Sequence, residues 1–189
     1  MKKIAFLTAS VVSALLASQT FASENTITFK GQVTSETCTV TVNGNPSSPV
    51  VLLPSINASE LKNGEDSVVN ATFDIAVTGC TGNTADSADS KAATVNISTS
   101  LQGNKVTENG NLGNLATTDA AENVEIMIKD TALDKKLNFN EGTVIGESDL
   151  ALIDGAKEAS KTFTAQYYAS GPVTAGAVEA TLQYQVIYN

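Results

Sequence analysis

The chain contains no histidine, no arginine and no tryptophan. Without histidine there is no Ser-His-Asp triad, no Cys-His dyad and no imidazole-ligated metal. Without arginine there is no bidentate clamp for phosphate or guanine. Twenty acids stand against 11 lysines, giving a net charge of −9, which repels nucleic acid and anionic membrane surfaces alike. Aromatics make up only 5% of residues, too few for the stacking platforms that accompany a carboxylate pair in glycoside hydrolysis. No Gly-rich phosphate loop, EF-hand spacing or GxSxG turn occurs. The sequence therefore points away from catalysis, and it calls for no metal, no small-molecule cofactor and no nucleic acid.

What is present begins with an export signal. Lys2 and Lys3 precede Ile4–Ala17, which is apolar apart from Thr8, Ser10 and Ser13. That run is too short for a stable membrane span and suits a secretory core. Thr20 and Ala22 are small residues at −3 and −1, so cleavage is expected after Ala22, with Ala17 as the alternative. Residues 1–22 are then the signal peptide and residues 23–189 one domain. Losing Lys2 and Lys3 takes the net charge from −9 to −11. Cys38 and Cys80 are the only cysteines. An even count in an oxidising compartment predicts one disulfide, worth roughly 4 kcal/mol by loop closure.

The rest of the pattern has period two. Ile27, Phe29, Gly31 and Val33 alternate with polar residues, and after a slip the phase resumes at Cys38, Val40 and Val42. Asn43–Pro49 is turn-rich, and Val50–Leu53 is an apolar run stopped by Pro54. Val69 to Val77 alternates cleanly until Gly79. Further strands centre on Val95–Leu101, Val124–Ile128 and Phe163–Ala169. Val178, Ala180, Leu182, Tyr184, Val186 and Tyr188 form the longest alternation. Asp130–Lys136 is the one candidate helical turn. Thr81–Ser90 and Asn109–Asn114 read as exposed loops, and the acids Glu122, Glu125, Asp130, Asp134, Glu141, Glu147, Asp149 and Asp154 as solvated. Seven or eight short strands without alternating helices predict an all-β antiparallel sandwich or barrel.

The start Thr26–Val33 followed by Cys38 resembles the first strand of type 1-like fimbrial major subunits, the pilins of the chaperone–usher route. Cys80 closes the Phe73–Val77 strand as in that family. Tyr188 is the penultimate residue, and Gly176, fourteenth from the end, sits where the family's C-terminal motif places its glycine. The resemblance implies an incomplete immunoglobulin-like β-sandwich, completed by a donor strand from another subunit. In this chain the donor would be residues 23–30, with Ile27 and Phe29 on its inserting face. The receiving C-terminal strand would present Gly176, Val178, Leu182, Tyr184, Val186 and Tyr188. Implied partners are identical or related pilin subunits, a periplasmic chaperone and an outer-membrane usher. The implied destination is the shaft of a cell-surface fimbria serving adhesion. The rival expectation is a self-complete secreted β-sandwich that binds carbohydrate or protein as a monomer.

Overall fold

The computed structural model describes residues 37–81, 95–146, 149–153 and 155–188. Ile27, Phe29, the export signal and most of Thr81–Ser90 lie outside these residues. The elements are β1 (Thr37–Val42), β2 (Asp66–Thr81), β3 (Ile97–Gly103), β4 (Leu112–Gly113), β5 (Val124–Asp130), β6 (Lys135–Lys136), β7 (Val144–Ile145), β8 (Ala159–Ala169) and β9 (Leu182–Tyr188). Two single 3-10 turns, Ala58–Glu60 and Phe139–Glu141, complete the list of regular elements among the described residues.

All named strand pairs are antiparallel. A six-stranded sheet runs β1-β2-β8-β5-β4, with β6 also on β5, and a three-stranded sheet runs β7-β3-β9. The period-two pattern explains both. On β2, Phe73, Ile75 and Val77 point inward and are buried, while Thr72 and Asp74 point out. Phe73 stacks on Phe163 of β8 with ring centroids 5.6 Å apart. Ile126 and Ile128 of β5 and Leu101 of β3 join the same core, so the two sheets face each other across it.

The chain leaves β1 through a two-residue turn at Asn43 and Gly44, whose φ values of 49° and 76° fit that tight reversal. Val42 and Asn45 exchange both backbone bonds across it at 2.9 Å. At the far end of the β1–β2 pair Gly79 adopts φ 62° and the register shifts between Thr37 and Thr39, accommodating the phase break seen in the sequence. The disulfide Cys38–Cys80 forms there and joins two neighbouring strands of one sheet.

Three sequence expectations are corrected. Thr131–Asp134 is a turn between β5 and β6, not a helical turn: the Asp130 carboxylate accepts the Leu133 N–H at 3.1 Å and the chain folds back on itself. Asn109–Asn114 is not an exposed loop. Asn111 is fully buried and Leu112 enters the core, because this segment pairs along the edge of β5 as β4, Leu112 opposite Ile126. For the same reason Glu125 is buried, its carboxylate accepting from Asn111 Nδ2 at 2.8 Å and Asn109 Nδ2 at 3.1 Å. Asp130 is also buried, against Lys161 at 2.7 Å.

Candidate functional site: an open groove beside the last strand

β9 lies at the edge of the small sheet. On one side it pairs with β3 from Ile97↔Tyr188 to Gly103↔Leu182. The Asn104 N–H donates to the Thr181 carbonyl at 3.4 Å, which sets the phase of the ladder. In an antiparallel pair only alternate residues exchange bonds with the partner. Gln183 and Gln185 therefore face β3 with their backbone groups. The N–H and C=O of Leu182, Tyr184 and Val186 point the other way, and no strand among the described residues pairs with that edge.

The same three residues turn their side chains inward, yet each is only half-buried. Their counterparts on β3 behave differently: Ile97 and Leu101 are 0% and 1% exposed. The inward face of β9 lacks a cover that the inward face of β3 has. Beside it runs a groove of about 630 Å³. Its floor is Phe73, Ile75, Ile126 and Ile128 of the large sheet, one bank is residues 177–184, and the other is Val50–Leu53.

Each bank has its own local cause. Val50–Leu53 is held between Pro49 and Pro54, which lack N–H donors. It joins no ladder among the described residues. Val51 and Leu53 lean on the core, whereas Val50 and Leu52 remain 76% and 83% exposed. The Tyr167 hydroxyl donates to the Pro54 carbonyl at 3.2 Å and ties this bank to β8. Burial pushes the Tyr167 pKa up, so the hydroxyl keeps the proton it donates.

The opposite bank corrects the expected strand boundary. Val178 and Ala180 line the groove, but the strand proper begins at Leu182. Residues 177–179 spend their outward-facing backbone groups on a loop. Ala177 N–H donates to Asp119 O at 2.6 Å, Ala121 N–H to Ala177 O at 2.9 Å, and Leu115 N–H to Glu179 O at 2.7 Å. Asn114 reinforces the join: its Nδ2 donates to Ala177 O at 2.9 Å and its Oδ1 accepts from Glu179 N–H at 3.0 Å. Asn114 was not singled out in the sequence, where it is one asparagine among many in a polar stretch.

Gly176 belongs to this join. A Cβ placed on it would collide with Asp119 O and Ala121 N and lie 2.6 Å from the Ala120 carbonyl carbon. The glycine is there for close approach of two backbones. At the other end the groove lining stops at Tyr184 and Val42. Beyond that point the Cys38 N–H donates to the Tyr188 hydroxyl at 3.1 Å. The structure thus brings Cys38, Cys80 and Tyr188 to one end, Gly176 to the other, and Val178, Leu182 and Tyr184 along the groove.

Chemically the site is an apolar trough with one row of unpaired peptide groups. That combination suits an extended peptide which adds a strand and drops alternate side chains into the floor. Among the described residues no group of three or more acidic or cysteine side chains is placed to hold a metal.

Comparison with known proteins agrees with this geometry. The family model described as "Fimbrial protein" matches residues 27–189. The F17 fimbrial protein of Escherichia coli is 32% identical over 188 residues, covering 100% of this chain and 99% of that one. The P pilus rod subunit PapA superposes with a TM-score of 0.57 at 20% identity, over 80% of this chain and 99% of the other. A subunit from a chaperone–usher pilus solved to explain rod uncoiling gives a TM-score of 0.56 at 19% identity, over 88% and 96%.

Proposed function

The chain belongs to the fimbrial protein family, and from that membership we propose that it polymerises by donor-strand exchange. Membership makes it a structural subunit of a cell-surface pilus, in a family of pilins and not of enzymes. In the proposed assembly, residues 23–30 of one copy enter the groove of the next. Ile27 and Phe29 lie two apart and so share a face. Each would contribute about 1.5–3 kcal/mol on burial, and each ladder bond to β9 about 0.5–1.5 kcal/mol. Before assembly a periplasmic chaperone lends a strand to the same edge, and an outer-membrane usher directs the exchange and export. Gly176, Val178, Leu182, Tyr184, Val186 and Tyr188 mark the C-terminal segment, β9 and its approach, that both the chaperone and the incoming subunit read. An edge of this length left open invites aggregation, which gives the chaperone its role. Because the contact is head-to-tail it does not close, and filaments result.

The observation that carries the reading is the half-buried inward row of β9 beside the groove. Deleting the mature N-terminus through Lys30 tests it. The truncated subunit should still co-purify with its chaperone but form no heat-labile ladder of high-mass species. A ladder from the truncated subunit overturns the donor assignment, and a stable monomer from the intact chain favours the self-complete sandwich.

A further inference from the structure

Among the described residues Glu179 is the only charged one that lines the groove. It stands on the bank at the Gly176 end. By the alternation of that bank its side chain lies on the outer face with Thr181 and Gln183, and all three are exposed. The carboxylate belongs to neither ion pair formed among the described residues, Lys129–Asp134 and Lys161–Asp130. Lys105, on the facing loop, donates from its Nζ to the Asn114 carbonyl at 2.7 Å.

The bank is also graded in size. Ala116, Ala177 and Ala180 line the Glu179 end, and Leu182 and Tyr184 line the other. Residues 23–30 carry matching marks. Glu24 lies near one end and Lys30 at the other, with the larger Phe29 beside Lys30 and Ile27 behind it. Thr26, Thr28 and Lys30 fall on the face opposite Ile27 and Phe29.

We infer that Glu179 sets the register of the incoming strand by pairing with Lys30 of the next copy. The inference rests on the strand-exchange reading above and adds the register to it. In an antiparallel ladder, Lys30 opposite Glu179 places Phe29 opposite Ala180 and Ile27 opposite Leu182. The ring then enters the alanine-lined end, where the wall leaves most room. Asn25 and Ser23 fall opposite Tyr184 and Val186, so residues 23–30 cover the peptide groups that Leu182, Tyr184 and Val186 leave open. A slip of two residues in either direction sets Lys30 opposite Ala177 or Thr181, with no charge to meet. A slip of one turns Ile27 and Phe29 out of the groove. A parallel strand with Ile27 opposite Leu182 brings Glu24 against Glu179, like charge on like. At an exposed rim such a pair acts on encounter and selection more than on final stability.

Lys30→Glu and Glu179→Lys in the full chain, singly and together, test the pair, with the exposed Glu141→Lys, outside the groove lining, as the control. Each single reversal should slow growth of the heat-labile ladder about tenfold at low salt, and the double variant should return to within about twofold of wild type. High salt should shrink the gap, and Glu141→Lys should grow as wild type does. Single variants at the wild-type rate, or a double variant no faster than either single, overturn the inference. Register is read separately from Lys30→Cys combined with Glu179→Cys. After heating, a non-reducing gel should retain the ladder for this pair but not for Lys30→Cys combined with Gln183→Cys. A ladder that melts for the first pair, or persists for both, overturns the register. Absence of a ladder from the wild-type chain would instead overturn the strand-exchange reading itself.

Discussion

The Tyr188 hydroxyl accepts a hydrogen bond from the Cys38 amide at 3.1 Å, across 150 residues of sequence. It joins the edge strand of the large sheet to the edge strand of the small one, beside the disulfide. The groove opens from that stitched end towards Gly176. Removing the hydroxyl alone, in Tyr188→Phe, should cost about 0.5–1.5 kcal/mol in urea unfolding. Tyr188→Ala also removes an inward ring from the strand proposed to bind the chaperone and should lower chaperone co-purification. Unchanged stability and capture in both variants would remove Tyr188 from that role.

Gly176→Ala should destabilise the fold by about 1–3 kcal/mol, since the added methyl meets backbone and not a side chain that can swing away. Residues 119–121 would have to retreat, and the bank at 177–179 with them. The check is the urea midpoint together with polymer yield. A wild-type midpoint would mean that the approach to Asp119 and Ala121 is looser than described.

Cys38→Ser opens a covalent loop of 42 residues, worth about 4 kcal/mol on the chain-entropy account. Soluble yield should fall sharply. Thiol labelling of the native protein should find no free cysteine, and labelling at Cys80 should appear only in the variant.

Asp130 titrates below the usual carboxylate range. Burial alone raises its pKa, but the hydrogen bond from Lys161, the backbone N–H groups of Leu133 and Ala132 and the charge of Lys161 together outweigh that. A folded-state pKa below the unfolded one means stability that is fully present above about pH 4 and is lost as pH falls through the folded value. Asp130→Asn should therefore cost about 1.5–3 kcal/mol near neutral pH, and less as the pH drops. Paired unfolding curves for the two proteins at pH 7 and pH 3 decide the matter. A gap that does not shrink in acid would rule out the ionised pair as its source.

Much of the fold was legible because burial on one face of a strand writes itself as alternation, as Val69–Val77 and Leu182–Tyr188 do. The disulfide followed from export and an even cysteine count. Polar residues misled at Asn111, Glu125 and Asp130, whereas Glu122, Asp134 and Glu141 are exposed as expected. Asn111 and Glu125 are buried against each other where β4 pairs along β5, and neither residue's neighbours in sequence announce that. The start of β9 was misplaced for a related reason. Val178 and Ala180 keep the alternation, but Ala177 and Glu179 bond to residues some 60 positions earlier, in the 114–121 loop. The bank at Val50–Leu53 was visible as an apolar run. Its flanking prolines explain why it stays outside the ladders, although only the fold shows that it borders the groove.

The covalent ring closed by Cys38 and Cys80 encloses Val50–Leu53 but not residues 177–184. The two shores of the trough are thus moored unequally, one by a sulfur bridge and the other by amides alone. A reductant would slacken only the proline-flanked shore. Reduction would leave the 38–80 segment, and the apolar run it carries, without its only covalent tie.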